Sequence, residues 1–327
     1  MATILQPTEE NLLQMSKFLL SGGLVGIPTE TVYGLAANAL DPEASKKIFE
    51  VKNRPSNDPL ICHVASQEEV DQICFPTDLA RKLCDAFWPG PLTVILRKKS
   101  VVPEIVTAGL DSVAVRCSSH PVMRNLTQLC EFPIAAPSAN PFAYISPTRA
   151  EHVEASLGNK IEYIIDGGPC EFGLESTIID AREESIPRIL RYGALSPEEI
   201  EDELGMEAQR PAKTASDNIP QIAPGSLPKH YSPNCKLEVV SKILDLEKIA
   251  TENEDTAYLL LQKPRFETGR NVFWLSESGK LQDIAAHLFD VLRKMDTMGF
   301  SRIVAEEAKE LGLGVAINDR LRRAAQD

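Results

Sequence analysis

The chain has no G-x-x-x-x-G-K-[ST] loop and no G-x-G-x-x-G after a strand. Any nucleotide it binds therefore sits in a site without the common phosphate-binding motifs. It lacks a G-x-S-x-G elbow, and no cysteine stands beside an obvious base, so the usual signatures of a protein nucleophile are missing. No apolar run reaches membrane-spanning length. Met1-Ala2-Thr3-Ile4-Leu5-Gln6-Pro7 shows no basic region followed by an apolar stretch, so no signal peptide is expected. There is no C-x-x-C and no zinc-like Cys/His spacing. The cysteines at 62, 74, 84, 117, 130, 170 and 235 are odd in number and mostly in apolar contexts. They read as reduced, buried small hydrophobes of a cytoplasmic protein. Cations are the minority: 34 Lys and Arg against 47 Asp and Glu, a formal charge of -13. That balance disfavours non-specific nucleic-acid binding by the whole surface and leaves a local basic site open.

What is present is an ordinary globular composition, 43% hydrophobic and 25% charged, in 327 residues. That length exceeds the usual single core and suggests two domains. Helical spacing covers residues 8–21, with Thr8 as N-cap and Gly22 as stop. Strands are expected at Leu24–Ile27, Leu60–Val64, Leu92–Leu96, Val113–Arg116, Ile134–Ala136, Tyr163–Ile165, Ser176–Asp180 and Arg188–Arg191. Helices are expected at Ala44–Val51, Ala80–Phe87, Val122–Leu129, Arg149–Leu157 and Ser196–Leu204. The last has a clear start, with Ser196 as N-cap, Pro197 next, and Glu198 and Glu199 in the first turn. Residues 1–205 thus read as an α/β domain. Residues 206–235 are turn-rich and polar and read as a linker ending in Lys229-His230-Tyr231-Ser232-Pro233. A smaller α/β domain follows over 236–327. Its strands are Leu237–Val240, Tyr258–Leu261, Val272–Leu275 and Arg302–Ala305, and its helices Leu244–Ala250, 281–298 and Val315–Ala325.

The chemistry-bearing clusters lie where strands end. Pro28-Thr29-Glu30-Thr31-Val32-Tyr33-Gly34-Leu35-Ala36 packs three hydroxyls and a carboxylate behind the apolar run Leu24–Ile27. Strand ends of open α/β sheets are where ligands bind. The pattern equally describes a strand end with one polar face. Lys52-Asn53-Arg54-Pro55-Ser56-Asn57-Asp58-Pro59 suits a polyphosphate, although cations at a helix end also satisfy the dipole. Pro137-Ser138-Ala139-Asn140 and Ser146-Pro147-Thr148 put hydroxyl and amide groups in turns, which are often only turns. Arg116 and Arg191 each end an apolar strand, where a charge pairs with protein or meets an anion. His63, inside Leu60–Val64, has a satisfied core histidine as its default reading.

These clusters, in this order, resemble the Sua5/YrdC family of threonylcarbamoyl-AMP synthases. The resemblance rests on Pro28–Leu35, Lys52–Pro55, Trp88–Thr93, Thr107–Asp111, Val113–Arg116, Ala135–Asn140, Ser146–Thr148, Asp166–Gly168 and Glu175–Ile178. It covers about residues 8–205. Pro224-Gly225, His230-Tyr231-Ser232-Pro233 and the tail motif Gly312–Asn318 with Arg320 make it similar to the long, two-domain form.

The resemblance implies a twisted mixed sheet of YrdC-like type with a concave basic cavity, plus a Rossmann-like C-terminal Sua5 domain. It implies synthesis of L-threonylcarbamoyl-AMP from L-threonine, bicarbonate and ATP, with pyrophosphate released and Mg²⁺ carried by ATP. The product would pass to a transferase for t6A modification of ANN-decoding tRNAs, with weak tRNA contact possible in principle. Lys52, Arg54, Ser138 and Asn140 match the family's signature tetrad. Together with Asn57, Ser146, Arg191 and Tyr231 they would face ATP. Thr29, Tyr33, His63, Arg116 and Ser176 would face threonine, and the linker would close over the nucleotide. Two alternatives stay open: an RNA-binding module, and a carbamoyl-adenylate-forming enzyme with another acceptor.

Overall fold

The computed structural model describes residues 1–183, 186–211, 222–225, 230–245, 248, 249, 251 and 253–326. Much of the expected linker, and part of the helix expected at Leu244–Ala250, lie outside the described residues. The first lobe opens with β1 (Thr3–Leu5), α1 (Glu9–Leu20), β2 (Val25–Ile27), β3 (Gly34–Asn38), α2 (Pro42–Lys52) and β4 (Ile61–His63). It continues through α3 (Val70–Ile73), β5 (Cys74–Phe75), α4 (Asp78–Phe87), β6 (Leu92–Lys98), β7 (Ser112–Arg116) and α5 (Pro121–Cys130). It closes with β8 (Ile134–Ala135), α6 (Ala150–Leu157), β9 (Tyr163–Ile165), β10 (Thr177–Asp180), β11 (Arg188–Arg191) and α7 (Pro197–Leu204).

Helix starts follow side-chain chemistry. The Thr8 hydroxyl accepts from Asn11 N at α1, and Asp41 accepts from Glu43 N and Ala44 N ahead of Pro42 at α2. Ser196 and Glu199 form the reciprocal capping box expected for α7. The strands form one twisted mixed sheet in the order β1-β9-β2-β3-β8-β4-β7-β6-β10-β11, with β5 beside β6. β4 runs parallel to β7, and β6 parallel to β10. β3 runs antiparallel to β2 and β8. His63 and Asn38 both stand opposite Ile134, so the ends of β3 and β4 are level, and the loop between β2 and β3 reaches the end of β7 through Glu30 and Thr31, which meet Arg116. His63 is in register with Arg116 across that parallel pair.

The second lobe comprises β12 (Lys236–Val240), β13 (Thr256–Gln262), β14 (Val272–Ser276), α8 (Leu281–Asp296), β15 (Arg302–Glu306) and α9 (Leu313–Ala324). Its sheet, β12-β15-β13-β14, is parallel throughout. The expected parallel α/β character is therefore present. Counted within the lobe, the order is 3-2-4-1 rather than the 3-2-1-4 of a dinucleotide-binding half.

The lobes share a core. Val32, Ile145 and Leu174 of the first lobe cluster with Leu288, Phe289 and Leu292 on α8. Close approach is permitted at Gly173, whose φ is +66°. A Cβ there would stand 2.5 Å from Ala286 O and 2.6 Å from Ala285 O. A Gly173→Ala variant faces both a left-handed backbone and a steric clash. It should lose roughly 2–4 kcal/mol of stability, read as a lowered Tm in thermal unfolding.

Candidate active site

The β2–β3 loop is the floor of the site, and its residues from Pro28 to Tyr33 are all buried. The Thr29 hydroxyl donates to Val32 O (2.6 Å) and accepts from the amides of Thr31 and Val32 (both 3.2 Å). This local turn fixes the loop, so Thr29 shapes the floor as well as lining the cavity. Tyr33 N bonds Pro147 O, and Ala139 N bonds Tyr33 O, which straps the loop to both polar turns predicted from sequence. The Tyr33 phenol points elsewhere. It donates to Gly168 O (2.7 Å) and accepts from Gly167 N (3.1 Å), holding the Asp166-Gly167-Gly168 turn.

At the threonine-facing end assigned from sequence, Arg116 meets Glu30 at 2.7 Å and donates to the Thr31 hydroxyl at 2.9 Å. Ser118 donates to the other Glu30 oxygen. Burial alone would raise the Glu30 pKa, but the Arg116 charge and the Ser118 hydroxyl outweigh it and bring it down to about 2. Glu30, which sequence reasoning left without a role, is thus the ionised partner of Arg116. His63 is held neutral, its pKa pushed down to about 3 by burial first and by Arg116 next. Its Nδ1 has no hydrogen-bond partner among the described residues.

The end expected from sequence to face phosphate carries the other cations. Arg54 pairs with Asp58 at 2.9 Å and donates to the carbonyls of Asp58 and Pro59. Arg191 donates to Ser176 O, Ser176 Oγ and Pro224 O at 2.9 to 3.2 Å. The Lys52 ammonium donates to the carbonyls of Ser138 and Asn140, buckling the end of α2 to the loop after β8. Burial, and then Arg54, depress the Lys52 pKa well below the usual lysine range. Glu30 answers Arg116, and Asp58 answers Arg54. Lys52 and Arg191 are both buried, and among the described residues neither forms an ion pair. Asp58 and Glu175 act on them only from beyond contact, and a buried cation without a paired carboxylate is costly. The wall is therefore built for an anion from outside.

One cavity of about 50 Å³ connects these ends. Thr29, Arg54, His63, Arg116 and Ser138 line it, as do Ser176, Arg191 and Tyr231. Lys52, Asn57, Asn140, Ser146 and Tyr33 do not. Lys52 and Asn140 stand just behind the lining, since the Asn140 amide donates to Pro141 O and Tyr144 O. The linker end closes the cavity. His230 and Tyr231 are buried with ring centroids 4.1 Å apart, and Tyr231 stacks on Phe289 at 5.5 Å.

Sequence reasoning named Glu175 and Arg320 only as carriers of the resemblance and gave neither a place in the site. Glu175 lines the cavity and accepts from the Ser146 hydroxyl at 2.6 Å. Arg320 reaches Glu175 from α9 at 2.7 Å. A signal existed: Arg320 falls on the same helical face as buried Ala316, Ile317, Leu321 and Ala324.

The Glu30–Arg116 pair has a defined pH signature. The Glu30 pKa is about 2 in the fold against 4.5 as the ordinary value. Its stabilisation is therefore full above pH 4.5 and is lost as pH falls through 2. The linkage is on the order of 3 kcal/mol. Glu30→Gln should lower stability at pH 7 by about that amount, because Arg116 is left uncompensated. Its stability should also fall less steeply than wild type between pH 4.5 and pH 2, as read by denaturant titrations across that range.

The family model for Sua5, YciO and YrdC proteins, described as "Telomere recombination", matches residues 17–193. A second, described as "Threonylcarbamoyl-AMP synthase, C-terminal domain", matches residues 195–326. A threonylcarbamoyl-AMP synthase of Pyrococcus abyssi is 43% identical over 94% of this chain and 92% of its own length. One of Bacillus subtilis is 37% identical over 98% and 94% respectively. The crystal structure of P. abyssi Sua5 complexed with L-threonine matches with a TM-score of 0.90 at 41% identity, covering 99% of this chain and 97% of that one. E. coli YciO shares the fold of the first lobe, with a TM-score of 0.54 at 21% identity. The chain belongs to the Sua5/YrdC family, in the form that carries the C-terminal synthase domain.

Proposed function

We infer that this chain is a threonylcarbamoyl-AMP synthase, condensing L-threonine, bicarbonate and ATP into L-threonylcarbamoyl-AMP and pyrophosphate. The observation that carries this reading is a cavity lined at one end by Arg54 and Arg191, with Lys52 buried just behind them, and at the other by Arg116, which Glu30 backs. The first arrangement calls for a polyanion. The second offers the Arg116 guanidinium to the carboxylate of an amino acid, with Glu30 holding that guanidinium from behind.

The threonine amine adds to bicarbonate and water leaves, giving an N-carboxylate. One oxygen of that carbamate attacks the α-phosphorus of ATP, the bond from that phosphorus to the α,β-bridging oxygen breaks, and pyrophosphate departs with that oxygen. No protein nucleophile is required. Lys52, Arg54 and Arg191 act by position and charge on the triphosphate. His63 stays neutral and leaves Nδ1 open to a hydrogen bond with substrate beside Arg116. Among the described residues no group of three His, Cys, Asp or Glu side chains could hold a metal ion. A Mg²⁺ carried in by ATP would sit on its phosphate oxygens and neutralise charge there, beside Arg54 and Arg191 on the cavity wall.

A cavity of about 50 Å³ holds a few waters and is far too small for ATP. Entry requires the His230–Tyr231 segment to withdraw, and its return excludes water from a carbamate and a mixed anhydride. Gly225 packs under this closure, since a Cβ there would stand 3.0 Å from Tyr231 Oη. The product is consumed by a tRNA-modifying transferase. No described helix is long and apolar enough to cross a membrane. The described cysteines are all free thiols, as suits the cytoplasm.

Pyrophosphate release from ATP, assayed with each amino acid in turn and with or without bicarbonate, tests the reading. Release should require both threonine and bicarbonate; equal release with serine, or none, rejects it. Lys52→Met should raise the KM for ATP at least tenfold while moving Tm by only about 3 °C, because the lost hydrogen bonds and the relieved charge burial offset each other. Wild-type ATP binding should also take up protons at alkaline pH, since an arriving anion restores the depressed Lys52 proton. Calorimetry in buffers of different ionisation enthalpy should show that uptake disappear in Lys52→Met.

A further inference from the structure

The last helix of the second lobe delivers a side chain to the nucleotide half of the site. Arg320 is among the largest fully buried side chains of the protein, at 1% exposure. Its Nε donates to Glu175 Oε2 at 2.7 Å, and a terminal nitrogen donates to Tyr192 O at 2.8 Å. Asp319 takes the other terminal nitrogen at 2.6 Å. The guanidinium carbon also lies 4.8 Å from the centre of the Tyr231 ring. The second Glu175 oxygen accepts the Ser146 hydroxyl at 2.6 Å. One guanidinium thus holds both the carboxylate under Ser146 and the ring that closes the cavity.

Stability alone does not call for this arrangement. Arg320 sits on an otherwise apolar helical face, where a hydrophobic residue avoids the cost of burying charge. The arrangement does fix hydrogen-bond polarity. Burial would raise the Glu175 pKa, but Arg320 leads the charges and hydroxyl that hold it down, so the carboxylate is ionised and accepts only. The single proton of Ser146 is therefore committed to Glu175, and the Ser146 oxygen is left to accept. Lysine could supply the charge, but not the planar fork that reaches Glu175 and Tyr192 while facing Tyr231.

We propose that Arg320 is a positioning residue for nucleotide binding: it orients Ser146 through Glu175 and seats Tyr231, so that the second lobe completes the ATP half of the site. The proposal rests on the synthase reading above. It leaves the threonine end, at Glu30 and Arg116, outside the reach of this relay.

The test is steady-state kinetics on the full chain. Arg320→Lys should raise the KM for ATP about tenfold and leave the KM for threonine within about twofold. Ser146→Ala should do the same. The double variant should fall well short of the roughly hundredfold to which independent losses would multiply. Threonine and ATP constants rising together, no change in either, or full multiplication in the double variant would each overturn the proposal and mark Arg320 as structural. Should Arg320→Lys fail to fold, Glu175→Gln keeps the shape of the pair and decides the matter: an ATP-selective rise supports the relay, and its absence overturns it. Wild-type protein that releases no threonine-dependent pyrophosphate would overturn the synthase reading itself, whereas active wild type with unsplit constants overturns only the role of Arg320.

Discussion

Lys52 and Arg191 are held in the interior by carbonyl and hydroxyl oxygens alone, and much of the architecture around them serves to make that tolerable. Each carbonyl that satisfies Lys52 belongs to the loop after β8, so the cation also sets where Ser138 and Asn140 stand. Arg191 does the same for the start of β10 through Ser176, whose hydroxyl also lies 2.7 Å from that of Thr93. The remaining buried cations of the wall are each matched by a carboxylate, which confines the unmet charge to one end of the cavity. A site arranged this way favours an anion before any shape complementarity acts. It does so on a surface whose net charge is strongly negative.

The sequence disclosed the parts whose signals are local. Caps at Thr8 and Ser196, and the apolar stripe of 281–298, lead directly to α1, α7 and α8. The buried parallel strands β4 and β7 read as continuous apolar runs, as sheets covered on both faces do. β3 was not legible, because Gly34-Leu35-Ala36-Ala37-Asn38 is built from residues with weak strand preference and is held by its neighbours β2 and β8. β1 and β5 are three- and two-residue pieces, respectively, that carry no periodicity.

At the site, residue types were legible and directions were not. Arg116 was expected to meet an anion or a protein partner, and its partner is the neighbouring Glu30. Tyr33 belongs to the same hydroxyl cluster as Thr29, yet its phenol turns to the Gly167–Gly168 turn. Side-chain alternation along a short loop cannot reveal that, because the loop is a Thr29-centred turn and not a strand. Arg320 escaped for a different reason. Its partner lies 145 residues away in the other lobe, and no local pattern encodes a contact of that span.

The seam between the lobes has a consequence for how such a protein can be built. Val32, Ile145 and Leu174 are buried in one cluster with residues of the second lobe, and Gly173 sits against the backbone of α8. Freed of the second lobe, this catalytic lobe would present an apolar face beside its own substrate cavity, an invitation to self-association. A free-standing version of the first lobe therefore needs a differently surfaced flank as well as a shorter gene. The two lobes of this chain are best regarded as one folding commitment, in which solubility of the first depends on the presence of the second.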